Sequence, residues 1–128
     1  MFFKEKDINE VVLMHYEGLV GFKQDFPCRA FIEDENILFK NDTTDIKLAY
    51  NQIESIDYMP EMNFMGKYHN NPVNTSKTNA VKWFSVISYT SSSGEAKYIA
   101  FGRLTARVES FLKKLNKAYH TKRLCYRL

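Results

Sequence analysis

Val81-Lys82-Trp83-Phe84-Ser85-Val86-Ile87-Ser88-Tyr89 is dense in β-branched and aromatic residues and reads as a strand. Its alternation is imperfect. Val81, Trp83, Ile87 and Tyr89 share one face, and Phe84 and Val86 lie on the other. A strand apolar on both faces is covered on both. Ser91-Ser92-Ser93-Gly94 breaks the run, Gly94 can supply a positive φ for a turn, and Ala96 to Phe101 is the return strand. After Gly102-Arg103 the period changes. Leu104, Val108, Phe111, Leu112, Leu115 and Tyr119 recur every three or four residues, one apolar stripe of a helix. Such a stripe is core packing, and the adjoining sheet is its natural partner. The last third of the chain is therefore a hairpin feeding an amphipathic helix, and the rest must close against that unit.

The segments upstream are short. Glu10 to Tyr16 reads as a first strand, although Ile8, Val11, Val12 and His15 also fit a short helix. A loop from Glu17 to Pro27 carries Gly18 and Gly21, and its Phe22 and Phe26 are expected at the surface, flanking Lys23. Cys28 to Glu33 and Ile37 to Lys40 are strands about a turn at Asp34-Glu35-Asn36. Asn41-Asp42-Thr43-Thr44 is a second turn, because Asn and Asp side chains bond their own backbone there. Asp45 to Tyr50 and Gln52 to Met59 are two further strands. Pro60 to Ala80 is a long connection of the kind that is functional or mobile, with Met62 to Tyr68 as a short helix inside it.

With 128 residues, 45% hydrophobic and 15% aromatic, the chain reads as one domain with a real core and no staples. The core runs from about residue 10 to 119, with a loop at 60–80 and a basic tail at 120–128. The expected architecture is mainly β with one C-terminal α-helix: a seven-stranded, partly open barrel or orthogonal sandwich whose open end the helix plugs.

The net charge of +3 is mild, but its distribution is not. From Gly102 onward, Arg103, Arg107, Lys113, Lys114, Lys117, Lys122, Arg123 and Arg127 face Glu109 alone, a net of +7 that leaves −4 on the remainder. A basic end on an acidic body suits anionic lipid, nucleic acid or an acidic partner. It equally suits a solvated helix face whose late cations complement the helix dipole.

Cys28 and Cys125 form neither a disulfide framework nor a zinc knuckle. The N-terminus lacks a signal-like apolar run, and no segment approaches the ~20 apolar residues of a membrane span. A cytoplasmic protein with reduced thiols is expected. His15, His69 and His120 are scattered without ligand spacing, so no metal is expected. No phosphate loop, serine elbow or metalloprotease helix is present, and no cofactor or catalytic residue is assigned. Cys28 reads as a small buried residue opening a strand. Trp83 and the tyrosines sit in strand patterns that core packing explains. The basic-Gly-aromatic signature of RNA-binding sheets is absent, so nucleic acid is disfavoured.

Seven strands closed by one helix resembles the pleckstrin-homology (PH) superfold, and the wording is similar to its bacterial PH-like and GRAM-type members. Glu10 precedes the apolar Val11-Val12-Leu13. A short hairpin follows from Phe31 to Phe39, and then a run from Ile46 to Ile56 that contains Gln52-Ile53-Glu54-Ser55-Ile56. The match spans roughly Glu10 to Lys117. The Asn-, Lys- and Ile-rich usage fits an AT-rich bacterial or phage genome. The resemblance implies a non-catalytic module that binds phosphoinositides, peptides or proteins, and some bacterial members assemble into rings. Lipid-binding members carry several cations around the first inter-strand loop, where this chain has Lys23 and Arg29 with Asp25 between them.

Two functional expectations follow. The first is a protein-binding module using Phe64, Lys67, Tyr68, His69 and Lys77 of the long connection, or the groove between helix and neighbouring strand; the other reading of that connection is a segment folded over the barrel that buries its aromatics. The alternative is a peripheral membrane adaptor whose Lys23, Arg29, Lys113, Lys114 and Lys117 meet anionic lipid. An open sheet edge must be covered, charged or paired, which favours a homo-oligomer.

Overall fold

The computed structural model describes residues 9–70 and 82–125, with side chains as far as residue 120. Seven antiparallel strands form one sheet in the order β4-β3-β2-β1-β7-β6-β5. They are β1 (Glu10–Glu17), β2 (Phe26–Ile32), β3 (Asn36–Lys40), β4 (Asp45–Ala49), β5 (Ile53–Pro60), β6 (Trp83–Thr90) and β7 (Ala96–Gly102). A 3-10 turn, Tyr50–Gln52, links β4 to β5, α1 (Glu61–Tyr68) follows β5, and α2 (Ala106–Cys125) follows β7. The sheet does not close, because β4 and β5 are its two edges. The mainly β architecture capped by a C-terminal helix is as expected. No helix among the described residues is long and apolar enough to cross a membrane.

Strand alternation builds the interior. Val11, Leu13 and His15 of β1, Cys28 and Ala30 of β2, and Ile37 and Phe39 of β3 point inward and are buried. α2 packs on the 3-10 turn, β1 and β5. Its stripe of Val108, Phe111, Leu112, Leu115 and Tyr119 joins the same core as Ile53, Ile87 and Phe101. Thr105 starts the helix: its Oγ1 accepts from the Val108 amide at 3.2 Å and its carbonyl from the Glu109 amide at 2.8 Å. The main core is therefore sealed at the end where the 3-10 turn lies. That end is opposite the β3–β4 turn, because β3 and β4 run antiparallel between the two.

β6 is covered on both faces, and the two covers differ. Ile87 faces the main core. Phe84 and Val86 face outward into a second core with Met59, Phe64 and Ala100. α1 is the lid of that second core. The Phe64 ring stacks on Phe84 with centroids 4.6 Å apart and planes 3° from parallel. Trp83 departs from expectation: it starts β6 on the Ile87 face but remains 44% exposed at the strand end.

The β1–β2 connection is shorter than the expected loop, because β2 begins at Phe26. Pro27 is tolerated within the strand. The amide it lacks would point past the end of β3, where the β2–β3 pairing has already stopped at Arg29↔Lys40. Gly18 (φ 113°) makes the bend possible, because a Cβ there would lie 2.5 Å from the Tyr98 carbonyl oxygen and 2.7 Å from Ile99 Cα.

Candidate functional site

A cavity of about 580 Å³ opens between the β1–β2 connection and the β3–β4 turn. It lies at the end of the sheet that α2 does not seal. Val12, Phe22, Phe26 and Pro27 supply its apolar lining, and Lys23, Arg29, Lys40 and Asp42 its charge. Strand register gathers these residues. Val12 pairs with Arg29 across β1–β2, and Arg29 pairs with Lys40 across β2–β3. All three are outward-facing positions on adjacent strands.

Side-chain hydrogen bonds hold both walls in place. His15, 2% exposed, sits behind the β1–β2 connection. The Leu19 amide donates to its Nε2 at 3.1 Å, and its Nδ1 lies 3.0 Å from the Lys23 carbonyl oxygen. An amide can only donate and a carbonyl can only accept, so these partners select the neutral tautomer protonated on Nδ1. On the other wall, Asn41 Oδ1 accepts from the Thr43 and Thr44 amides at 2.9 and 2.8 Å. Asn41 Nδ2 donates to the Gly21 carbonyl at 2.9 Å and ties the two walls together. The cavity is thus pre-formed, which lowers the ordering cost of binding.

Its rim exposes apolar surface. Val12 is 56% exposed and Phe26 54%, and Val20 of the same β1–β2 connection is 86% exposed outside the lining. The rim's charges nearly cancel. Arg29 donates through Nε and Nη2 to Glu10 Oε2 at 3.2 and 3.1 Å. Lys40 lies 3.8 Å from Asp45, and Lys23 sits 5.4 Å over the Phe26 ring. The lining charges are Lys23, Arg29, Lys40 and Asp42, and counting the ion-pair partners Glu10 and Asp45 beside them brings the net to zero. The ion pairs are solvent-exposed, worth about 0–1 kcal/mol each, and readily exchanged for a partner's charges.

The residues expected from the long connection are placed differently. Phe64 is fully buried, so it is not a surface anchor. The outward faces of β5, β6 and β7 carry Met59, Phe84, Val86 and Ala100 and need a cover, and Phe64 provides it. Tyr68 is half-buried against Phe64 and Tyr98, at centroid distances of 5.1 and 4.3 Å. His69 Nε2 lies 2.7 Å from Glu17 Oε2, and the same oxygen accepts the Tyr98 hydroxyl. Burial and that hydrogen bond push the Tyr98 hydroxyl well above the usual phenol range. Lys67 is exposed over the Tyr68 ring at 5.4 Å, and Lys77 lies outside the described residues. The set thus resolves into one core aromatic, one aromatic at the core's margin and two surface groups.

The residues expected to meet lipid also separate. Lys23 and Arg29 line the cavity. Lys113, Lys114 and Lys117 belong to α2, which packs at the opposite end. Lys113 lies 3.5 Å from Glu109. Phe22 packs against the main core, whereas Phe26 is as exposed as expected. Val12, Lys40 and the Asn41–Thr43 wall were not anticipated. Val12 and Lys40 each occupy an outward position of an alternating strand, and only the strand register shows that they meet. No protein-family model matches this sequence, and comparison with curated proteins finds no similar chain.

Proposed function

We propose that this chain is a non-catalytic binding module of the PH-like kind, and that it grips a protein partner at the cavity between the β1–β2 connection and the β3–β4 turn. The observation that carries this reading is the make-up of that site. A pre-formed apolar hollow with exposed Phe26 and Val12 is ringed by charges of both signs. Protein interfaces are built in this way, with an aromatic and apolar centre, an arginine, and a polar rim that sets register. Seven antiparallel strands closed by a C-terminal helix support the PH-like part of the reading.

A membrane surface is the second reading, favoured by the cations of α2. Each basic residue near an anionic leaflet contributes about 1 kcal/mol, and acidic neighbours cancel that gain. The cations at the cavity, offset by Asp42 and by the ion-pair partners Glu10 and Asp45, therefore gain little from such a surface. Lys113, Lys114 and Lys117 stand at the other end of the fold.

The test pairs affinity capture from the source cell with vesicle flotation, comparing the native chain with Phe26→Glu/Val12→Glu. A discrete protein captured by the native chain in moderate salt and lost with the double variant supports the reading. Capture that survives the double variant, or binding only to anionic vesicles that is lost in salt and on neutralising Lys113, Lys114 and Lys117, overturns it.

A further inference from the structure

We propose that β4 is a self-complementary edge through which two copies of this chain pair antiparallel about a two-fold axis at Ile46. The argument begins with the direction of the backbone groups. The Asn41 amide donates to the Thr44 carbonyl, and the Tyr50 amide donates to the Glu35 carbonyl. Both pairs lie on the register that places Lys40 opposite Asp45 and Asn36 opposite Ala49. In an antiparallel ladder, hydrogen-bonded and non-hydrogen-bonded pairs alternate. Thr44, Ile46, Leu48 and Tyr50 therefore turn their backbone groups toward β3, and Asp45, Lys47 and Ala49 turn theirs outward. The Ala49 amide is already taken by Gln52 Oε1 at 3.0 Å. The outward groups of Asp45 and Lys47 face away from β3, the strand that pairs with β4 among the described residues.

The side chains then select one register. Pairing two copies about Lys47 sets Lys47 against its own copy and Asp45 against Ala49, whose amide is occupied. Pairing about Ile46 sets Asp45 of each copy against Lys47 of the other. Both residues have outward backbone groups, so four N–H···O bonds form. Two opposite-charge pairs face each other across the new seam, and each such pair stabilises a ladder that like charges would destabilise. Ile46 meets its copy as the central non-hydrogen-bonded pair, where side chains approach most closely. Asp45 and Lys47 are exposed. In the pair, each Asp45 lies between its own Lys40, now 3.8 Å away, and the other copy's Lys47. β5, the other edge, is flanked by α2, so β4 is the edge that offers itself. The two seven-stranded sheets become one continuous sheet. Five residues of edge make a small interface, so the dimer is weak and concentration-dependent.

The test is sedimentation velocity of the full chain from about 10 μM to about 1 mM. The native chain moves from monomer to dimer across that range. Asp45→Lys alone and Lys47→Asp alone each turn two attractions into two repulsions and weaken self-association by about tenfold or more. An equimolar mixture of these two variants restores the dimer, because every residue at position 45 again meets its opposite at position 47. The double reversal Asp45→Lys/Lys47→Asp restores it within one chain. Recovery in the mixture also shows that neither variant has lost its fold. A native chain that stays monomeric overturns the proposal. So does a dimer indifferent to the single reversals, or one that the mixture does not rescue.

Discussion

Replacing Phe64 by alanine tests whether this aromatic belongs to the fold or to a surface. The ring is fully buried and stacked on Phe84, with Tyr16 edge-on at 5.6 Å and Tyr68 tilted at 5.1 Å. Truncating a buried phenylalanine costs about 3–5 kcal/mol through lost transfer energy and the cavity left behind. The aromatic pairs place this site toward the upper part of that range. For a chain of 128 residues the unfolding entropy near the midpoint is about 0.27 kcal/mol/K, so the melting temperature should fall by about 11–19 °C. Differential scanning calorimetry reads this directly. Phe26→Ala, at a 54% exposed position, is the control and should stay within about 0.5 kcal/mol of the native chain. α1 has only eight residues and little stability of its own, so part of the loss can appear as local release of that helix. Hydrogen exchange at the α1 amides then rises before the global melt. A Phe64→Ala protein that melts within about 2 °C of the native chain, with α1 exchange unchanged, refutes the assignment of Phe64 to a second core.

Three further outcomes follow from the geometry. His15→Ala deprives the Leu19 amide and the Lys23 carbonyl of their partner, and should cost about 2–4 kcal/mol in urea unfolding while loosening the β1–β2 wall. Burial pushes the Cys28 thiol from 9.0 and the Tyr50 hydroxyl from 10.0 up to about 12. The unfolded chain therefore gives up these protons first, so stability is full below about pH 9 and declines as the pH rises toward 12. Cys28→Ala/Tyr50→Phe should flatten that alkaline decline in the urea midpoint, and an unchanged slope counts against it. Gly18→Ala drives a Cβ into the β7 backbone at a φ of 113° and should cost more than Gly94→Ala, whose surroundings are open. Equal melting temperatures for the two variants would contradict the close approach at Gly18.

Much of the architecture was legible because it rests on periodicity. The stripe from Val108 to Tyr119 became the buried face of α2, with Leu104 half-buried just before the helix, and the two-faced apolar pattern of β6 correctly demanded two covers. The Asn41–Thr44 turn was legible because its side-chain to backbone bonds are local. The site was less legible. Val12, Arg29 and Lys40 are neighbours only through the registers of β1, β2 and β3, and register is not written in any one strand. Phe64 was a surface candidate because aromatics and cations are mixed in the long connection, and burial of those aromatics over the barrel, the other reading, is what the structure shows. Phe64 and Tyr68 are nonetheless four residues apart, on one face of a helix, and that spacing was the available sign that the helix had an inner side. Pro27 misplaced the start of β2, because its tolerance depends on where β3 stops.

The most direct test of the proposed binding surface is photo-crosslinking in the source cell, with a benzophenone side chain placed in turn at positions 26, 62 and 113. Phe26 lies on the cavity rim, Met62 is exposed on α1, and Lys113 is exposed on the basic face of α2. A discrete protein adduct formed from position 26, and absent from positions 62 and 113, is the predicted result. Adducts that form from position 62 or 113 but not from 26, or a lipid adduct at position 26, would contradict it.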